Sequence, residues 1–169
     1  SYTMASLAAI CGVYGDETGE LVGTGTFINI DDNSYLLTAG HVSYEEDNFS
    51  GLANSRFNQN PSFINNKWCR TPKSSVIDLA IVKIEHTFLE NTDIRPLNIE
   101  KLAKNSTNIS DDILFMHGYP GERSRFVSFW NSILSQTLPY VSVEGNSTLK
   151  IFNPKIHFAI EYPNNGTFN

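Results

Sequence analysis

Residues 24–39, with the sequence TGTFINIDDNSYLLTA, predict a β-hairpin. Thr24 to Ile30 is rich in β-branched and aromatic residues, and Tyr35 to Ala39 has the same character. Between the two runs lies Asp31-Asp32-Asn33, a cluster of residues that favour turns. We therefore expect two antiparallel strands joined by a tight connection.

Further short apolar runs, separated by turn residues, predict more strands on both sides of this hairpin. They are Leu7 to Tyr14, Val76 to Ile84, Ile113 to His117, Phe126 to Ile133, Thr137 to Val143, Leu149 to Phe152 and Ile156 to Tyr162. Helical periodicity is poor, and the segment from Ile99 to Lys104 predicts one short turn at most. Short strands at this spacing indicate an all-β sandwich or barrel.

Composition places the chain among globular proteins and argues against nucleic-acid binding. Of the 169 residues, 40% are hydrophobic, which is too many for a disordered acidic tail. The 12 Lys and Arg residues are outnumbered by 18 Asp and Glu residues, so the net charge is −6. A nucleic-acid-binding protein usually needs a basic face to neutralise phosphates, so we expect no nucleic-acid partner.

Neither a membrane span nor an export signal is predicted. No window approaches the roughly 18 consecutive apolar residues that a membrane helix needs. The apolar run from Ala5 to Val13 has no basic segment before it, so it predicts a strand and not a signal peptide. We therefore expect a cytoplasmic protein with no membrane contact. The two cysteines, Cys11 and Cys69, are too few for a disulfide scaffold, and whether they pair stays open.

No metal or cofactor site is predicted. No two histidines have the i, i+4 spacing of a helical zinc site, and the sequence lacks a Cys-x-x-Cys motif. It also lacks the Gly-Lys-Ser/Thr of a phosphate-binding loop. Gly23-Thr24-Gly25 opens a strand and has no third glycine, so it does not match a dinucleotide-binding loop. The histidines are His41, His86, His117 and His157.

His41 is a candidate catalytic residue because of its position in the chain. It directly follows the second strand of the predicted hairpin, where a rigid scaffold meets a surface. The small residues Ala39 and Gly40 before it leave space for another group to approach the imidazole ring. Imidazole changes charge near neutral pH, so it can act as general base and then as general acid. The alternative is a structural histidine that makes one hydrogen bond at a strand end.

Asp78 is a candidate partner for such a histidine. It immediately precedes the apolar run Leu79-Ala80-Ile81-Val82, and a carboxylate beside a buried strand is costly unless it is paired. An imidazole Nδ1–H would pair with it, and the carboxylate would fix the tautomer of the ring. The alternative is that Asp78 caps a turn, for which aspartate is well suited.

Three motifs taken together resemble the trypsin/chymotrypsin-like serine protease family. They are Gly23-Thr24-Gly25-Thr26-Phe27-Ile28, Leu37-Thr38-Ala39-Gly40-His41-Val42 and Asp78-Leu79-Ala80-Ile81-Val82-Lys83. In that family the first motif is a strand of the N-terminal barrel, the second carries the catalytic histidine, and the third carries the catalytic aspartate. The resemblance implies that His41 is the general base and Asp78 its orienting acid. The segment from Met116 to Gly121 also resembles the Gly-Tyr-Pro turn of bacterial and viral members.

The resemblance covers about residues 5–162 and implies two six-stranded antiparallel β-barrels with a cleft between them. The residue after the histidine is Val42 and not a cysteine, so the chain resembles the disulfide-poor branch of the family. A polar stretch from Arg95 to Asp112, which contains a proline, predicts a connection between the two halves. We expect an N-terminal barrel in residues 1–95, a connection in 96–110 and a partial C-terminal barrel in 111–169.

The serine motif of the family is absent from the sequence. No Gly-x-Ser-Gly occurs, and neither Ser124 nor Ser147 has the matching neighbours. We therefore expect the nucleophilic serine beyond residue 169. We also expect a missing segment or a second polypeptide to complete the C-terminal barrel, since an open sheet edge invites pairing.

These observations predict a serine-type endopeptidase that cleaves protein or peptide substrates with a Ser-His-Asp triad, without a cofactor or a metal ion. The alternative is a catalytically inactive pseudoprotease that binds peptides or proteins, for example by strand addition to a sheet edge. An unrelated all-β binding domain is the third interpretation.

Overall fold

A computed structural model of the protein describes residues 5–14, 17–43, 49–51, 64, 67–90, 92–102, 113–119, 124–127, 132–135, 137–150, 152–153 and 159–161. β-Strands predominate in these residues, which confirms the all-β class. None of the helices in this part of the chain is long and apolar enough to cross a bilayer.

The described strands are short, apart from the first two. They are β1 (Leu7–Tyr14), β2 (Glu17–Ile30), β3 (Asn33–Thr38), β4 (Phe49–Gly51), β5 (Cys69–Arg70), β6 (Ala80–Ile84), β7 (Leu97–Asn98), β8 (Leu114–Gly118), β9 (Ser124–Val127), β10 (Ser132–Ser135), β11 (Leu138–Ser142), β12 (Glu144–Gly145) and β13 (Ala159–Ile160). One α-helix, α1 (His86–Leu89), and two 3₁₀ turns (His41–Ser43 and Ile99–Lys101) complete the regular structure of the described residues.

The chain forms two compact units, Ser1–Leu102 with Gly118–Leu138, and Ala103–His117 with Pro139–Asn169. The first unit contains a seven-stranded sheet in the order β4-β1-β2-β3-β6-β5, to which β7 adds by parallel pairing with β2, and a separate β9–β10 hairpin. In the second unit β8 pairs with β11, and β12 pairs with β13. Among the described residues no sheet closes into a barrel, so the two six-stranded barrels and the boundaries near residues 95 and 111 stay predictions.

The predicted hairpin is confirmed, and it forms the centre of the large sheet. β2 and β3 pair antiparallel from Thr26↔Leu37 to Ile30↔Asn33, which leaves Asp31 and Asp32 as a two-residue turn. Asp31 has a φ of 51°, a left-handed conformation that aspartate adopts more readily than most residues. The acidic turn therefore fits the geometry that the tight hairpin requires.

One face of this sheet carries the hydrophobic core. Phe27 and Leu36 are fully buried, and Val82 is 1% exposed, so three adjacent strands contribute to the same layer. Alternate residues of a strand point to opposite faces, which explains why Leu36 and Thr38 are buried while Leu37 is only partly so. The core cluster contains Ala8, Ile10, Phe27, Leu36, Val42, Ile64, Trp68, Ala80, Val82, Ile84 and Ile94.

Two of the predicted strands are wrong. The run from Phe126 to Ile133 is not one strand, because β9 ends at Val127 and β10 begins at Ser132, and the two pair with each other. An apolar run cannot distinguish one strand from two that form a hairpin. The segment from Leu149 to Phe152 is not a strand at its described positions, because Phe152 N–H donates to Leu149 O and closes a turn.

The other predicted strands agree with the structure to different extents. β1 has the predicted bounds, β2 extends further towards the N-terminus, and β6 begins at Ala80 and not at Val76. The 3₁₀ turn at Ile99–Lys101 confirms the short turn expected there. Of the last predicted strand, Ala159–Ile160 forms β13, and residues 156–158 and 162 lie outside the described part of the chain. The shortest strands, β4, β5, β7 and β12, were not predicted because two or three residues carry no readable periodicity.

We expect Leu36→Ala to lower the free energy of unfolding by about 2–5 kcal/mol, because it empties a fully buried site in the middle of the sheet. The neighbouring Leu37→Ala, on the other face of β3 and only partly buried, serves as the control and costs about 1 kcal/mol. Urea denaturation of both variants measures the difference. Equal losses would contradict the assignment of the buried face.

Candidate active site

The pairing of β3 with β6 brings His41 and Asp78 together. The two strands are antiparallel, and the last residue of β3 faces the first residue of β6 (Thr38↔Ala80). The segment that leaves β3 and the segment that enters β6 therefore lie next to each other at the same end of this strand pair. His41 lies on the first segment and Asp78 on the second, although they are 37 residues apart in the sequence.

The Asp78 carboxylate accepts two hydrogen bonds from His41. The distance from Nδ1 of the imidazole to Oδ2 is 2.5 Å, and the backbone N–H of His41 donates to Oδ1 over 2.8 Å. Because a carboxylate only accepts, Nδ1 carries the proton in this contact, and Nε2 of the neutral ring is an acceptor. Among the described residues, no hydrogen bond to Nε2 is found. This is the tautomer that a general base acting through Nε2 requires.

The pair is exposed to solvent, with 74% of the His41 side chain and 50% of the Asp78 side chain accessible. The hydrogen bond from the His41 side chain is the main reason that the pKa of the Asp78 carboxyl lies below its ordinary value. Partial desolvation opposes this effect, and the backbone N–H groups of His41 and Gly40 add to it. A pair this exposed adds little to the stability of the fold, so its main consequence is the orientation of the ring.

Hydrogen bonds and core packing fix the turn that carries His41. Val42 N–H donates to Ala39 O and Ser43 N–H donates to Gly40 O, which closes a 3₁₀ turn. The hydroxyl of Ser43, which is fully buried, also donates to Gly40 O over 2.8 Å. Val42 packs into the hydrophobic core. The residues after His41 are therefore fixed, while the imidazole itself stays at the surface.

Gly40 provides the space that the Asp78 carboxylate occupies. A Cβ atom at this position would lie 2.6 Å from Asp78 Oδ1 and 3.2 Å from the backbone nitrogen of Leu79. The expectation that a small residue before His41 leaves room for another group therefore holds at Gly40, where the group is the Asp78 carboxylate.

Thr24, in the first of the three motifs, connects β2 to two other segments of the same unit. Its carbonyl accepts a hydrogen bond from the Thr38 hydroxyl over 2.8 Å, close to the end of β3. Its own hydroxyl accepts from the backbone N–H of Tyr119 over 2.8 Å. Tyr119 is 4% exposed, and burial raises the pKa of its phenol to about 12. Tyr119, in the middle of the Gly-Tyr-Pro segment, is therefore tied to the strand that supports the histidine turn.

The other histidines and cysteines whose side chains the structure describes have different surroundings. His86, on α1, contacts Glu90 at 3.2 Å, and the ring of His117 in β8 makes an edge contact with Phe115. Cys69 is an exposed free thiol, whereas His157 and the side chain of Cys11 lie outside the described residues. No group of three His, Cys, Asp or Glu side chains that could hold a metal ion occurs in the described part of the chain.

The two serines considered in the sequence analysis lie in or after later strands. Ser124 opens β9, and the Ser147 hydroxyl accepts a hydrogen bond from Leu149 N–H in the loop after β12. Sequence reasoning missed Thr71, which binds the main chain next to Asp78. No motif marks this residue, because its role depends on a strand pairing that cannot be read from the sequence.

No known family model matches the chain, and no curated protein matches it. One similar solved structure comes from work on how aromatic interactions drive the coupled folding and binding of the intrinsically disordered Sesbania mosaic virus VPg protein. The two chains are 23% identical, with a TM-score of 0.50. The match covers 86% of this chain and 63% of that one, so this chain spans less than two thirds of its length. At this identity the likeness shows a shared fold alone.

We expect Gly40→Ala to separate Asp78 from His41 while the fold is retained. The new Cβ displaces the carboxylate, which lies at the end of a rotatable side chain, so the free energy of unfolding falls by about 1 kcal/mol or less. The pKa of Asp78 then rises towards its ordinary value, as measured by NMR titration of the carboxyl carbon.

Gly25→Ala is the matched control for this variant. Its Cβ would lie 2.7 Å from Leu36 Cδ1 and 2.9 Å from Ile10 Cδ1, in the core and away from the carboxylate. It should cost about 1–3 kcal/mol and leave the titration of Asp78 unchanged. A lowered Asp78 pKa that persists in Gly40→Ala would contradict the prediction.

We expect Asp78→Asn to lower stability in a pH-dependent way. A carboxyl whose pKa is lower in the folded than in the unfolded chain stabilises the fold above its unfolded-state pKa. That contribution is lost as the pH falls through the lowered pKa of the folded state. The difference in free energy of unfolding between wild type and Asp78→Asn should therefore be largest near neutral pH and shrink in acid. In a His41→Ala background this pH dependence should be much weaker. If it persisted there, a group other than His41 would lower the pKa of Asp78.

Proposed function

We propose that the protein is a serine-type endopeptidase in which His41 is the general base and Asp78 orients it. The observation that carries the proposal is the double contact of one carboxylate with both the Nδ1 atom and the backbone N–H of His41. The same carboxylate thereby sets the tautomer and the direction of the ring. This supports the proposal because the mechanism needs Nε2 as a proton acceptor that faces a substrate.

In the proposed reaction, Nε2 of His41 takes the proton of a serine hydroxyl while the serine oxygen attacks the carbonyl carbon of the scissile peptide bond. The resulting imidazolium is stabilised by the Asp78 carboxylate, which stays ionised because its pKa is lowered. When the C–N bond breaks, the imidazolium returns the proton to the leaving amine, and water then hydrolyses the acyl-enzyme with the same base. We expect the serine and the oxyanion hole beyond residue 169, and no metal or cofactor is needed.

We further propose that the fold consists of two six-stranded antiparallel β-barrels, the second of which is completed by further polypeptide. The support comes from β8, β11 and the residues next to them, where large apolar side chains are exposed to solvent. Ile113 is 77% and Val141 is 60% exposed, and Phe115 and Val143 are also exposed. A soluble protein rarely leaves such neighbouring apolar residues uncovered. Strands from the same chain or from a partner would cover these side chains.

A catalytically inactive binding module is the second candidate function. It is favoured by one observation, that no Gly-x-Ser-Gly motif occurs within the 169 residues. In this case the His41–Asp78 pair would be retained without a nucleophile, and the protein would hold an extended peptide at a sheet edge.

Labelling with a fluorophosphonate probe, which reacts with activated serines, distinguishes the two candidates. We expect the protein produced from its full open reading frame to be labelled, and His41→Ala to reduce the rate of labelling by about 10³-fold or more. His86→Ala is the matched control, because His86 is also an exposed histidine paired with a carboxylate. It should be labelled like the wild type. A folded full-length protein that is not labelled would favour the binding module.

A further inference from the structure

We propose that Thr71 is a positioning residue for the candidate active site: it holds the main chain of Leu79 and thereby fixes the point from which Asp78 reaches His41. This inference rests on the proposed function for its catalytic consequence. The physical contact that it describes can be tested without any catalytic activity.

Thr71 satisfies both main-chain polar groups of Leu79. Its backbone N–H donates to Leu79 O over 2.9 Å, and its hydroxyl donates to the same oxygen over 3.1 Å. The Leu79 N–H in turn donates to the Thr71 hydroxyl oxygen over 3.0 Å. A hydroxyl has one proton and two lone pairs, so it can donate and accept at the same time.

The hydroxyl acts at the place where the β5–β6 ladder ends. The register Cys69↔Ile81 and Arg70↔Ala80 places Thr71 opposite Leu79. The next residue, Pro72, has no N–H group and begins a turn in which Ser75 N–H donates to Pro72 O. The Thr71 side chain therefore adds bonds between the two segments next to Asp78.

Packing against the core does not hold the residues around Asp78 in place. Val76 is 55%, Ile77 is 48% and Leu79 is 40% exposed, so little apolar burial fixes the approach to Asp78. Leu79 also lies close to Gly40, with its backbone nitrogen 3.2 Å and its carbonyl oxygen 3.4 Å from where a Cβ of residue 40 would be. The bonds from Thr71 therefore keep the residue after Asp78 against the turn that carries His41.

Thr71→Val tests the role of the hydroxyl, because valine has a similar shape and keeps the backbone N–H bond to Leu79. We expect the pKa of the Asp78 carboxyl, measured by NMR titration, to rise towards its ordinary value. In the full-length enzyme kcat/KM for a peptide ester should fall by about 10–100-fold, through kcat and not KM, since a small misplacement of the base slows the chemical step. Thr71→Ser retains the hydroxyl and should restore both measurements to wild-type values.

Thr92→Val is the matched control. The Thr92 hydroxyl also binds main chain in both directions, since it donates to Leu89 O over 2.7 Å and accepts from Ile94 N–H over 3.3 Å. This variant should lose stability as Thr71→Val does, while the titration of Asp78 and kcat/KM remain those of the wild type. A general loss of stability is thereby separated from the loss of positioning.

The outcomes separate this inference from the proposed function. If the protein shows no peptidase activity, a raised Asp78 pKa in Thr71→Val and its restoration in Thr71→Ser still support the positioning role. If the enzyme is active and Thr71→Val leaves both the titration and kcat/KM unchanged, the inference is overturned and the proposed function stands. If Thr71→Val does not fold, amide hydrogen exchange in the wild type decides. The Leu79 amide should then exchange far more slowly than that of the exposed Ser74, and equal rates would overturn the inference.

Discussion

The antiparallel register between β3 and β6 is the constraint on which the candidate active site depends. Pairing of Thr38 with Ala80 places the end of one strand beside the start of the other. This placement brings His41 and Asp78 into contact. A slip of one residue would turn every side chain of a strand to the opposite face of the sheet. Leu36 and Val82 are buried on one face, so such a slip would expose the core. Burial of the core therefore also protects the geometry of the site.

The site combines a rigid support with an accessible pair of functional groups. Val42 and Ser43 are buried directly after His41, and the Ser43 hydroxyl fixes the turn through Gly40 O. On the other segment, Ala80 is fully buried directly after Leu79. The side chains of His41 and Asp78 themselves remain at the surface. The buried neighbours of the pair therefore contribute to stability, whereas the exposed pair itself contributes little.

Local patterns in the sequence were sufficient for the hairpin and for the two candidate residues. The two β-rich runs around Asp31-Asp32 predict a tight β-hairpin, because turn preference and strand preference agree there. His41 and Asp78 were found because each stands at the end of a recognisable strand. The strands β9 and β10 were predicted as one, since an apolar run does not show where a chain reverses. Thr71 was missed because it acts through the main chain of a residue on another strand.

The sequence by itself determined the all-β class and the hairpin, because these depend on short-range preferences of neighbouring residues. It also named His41 and Asp78 as candidates, through their positions beside strands and through the resemblance of three motifs to a known family. Only the tertiary structure decided that one carboxylate binds both the ring and the backbone of His41, that Gly40 makes room for it, and that Thr71 holds the adjacent main chain. These features depend on the register between strands that are distant in the sequence. Register is set by the combined burial of many side chains, which no single stretch of sequence contains.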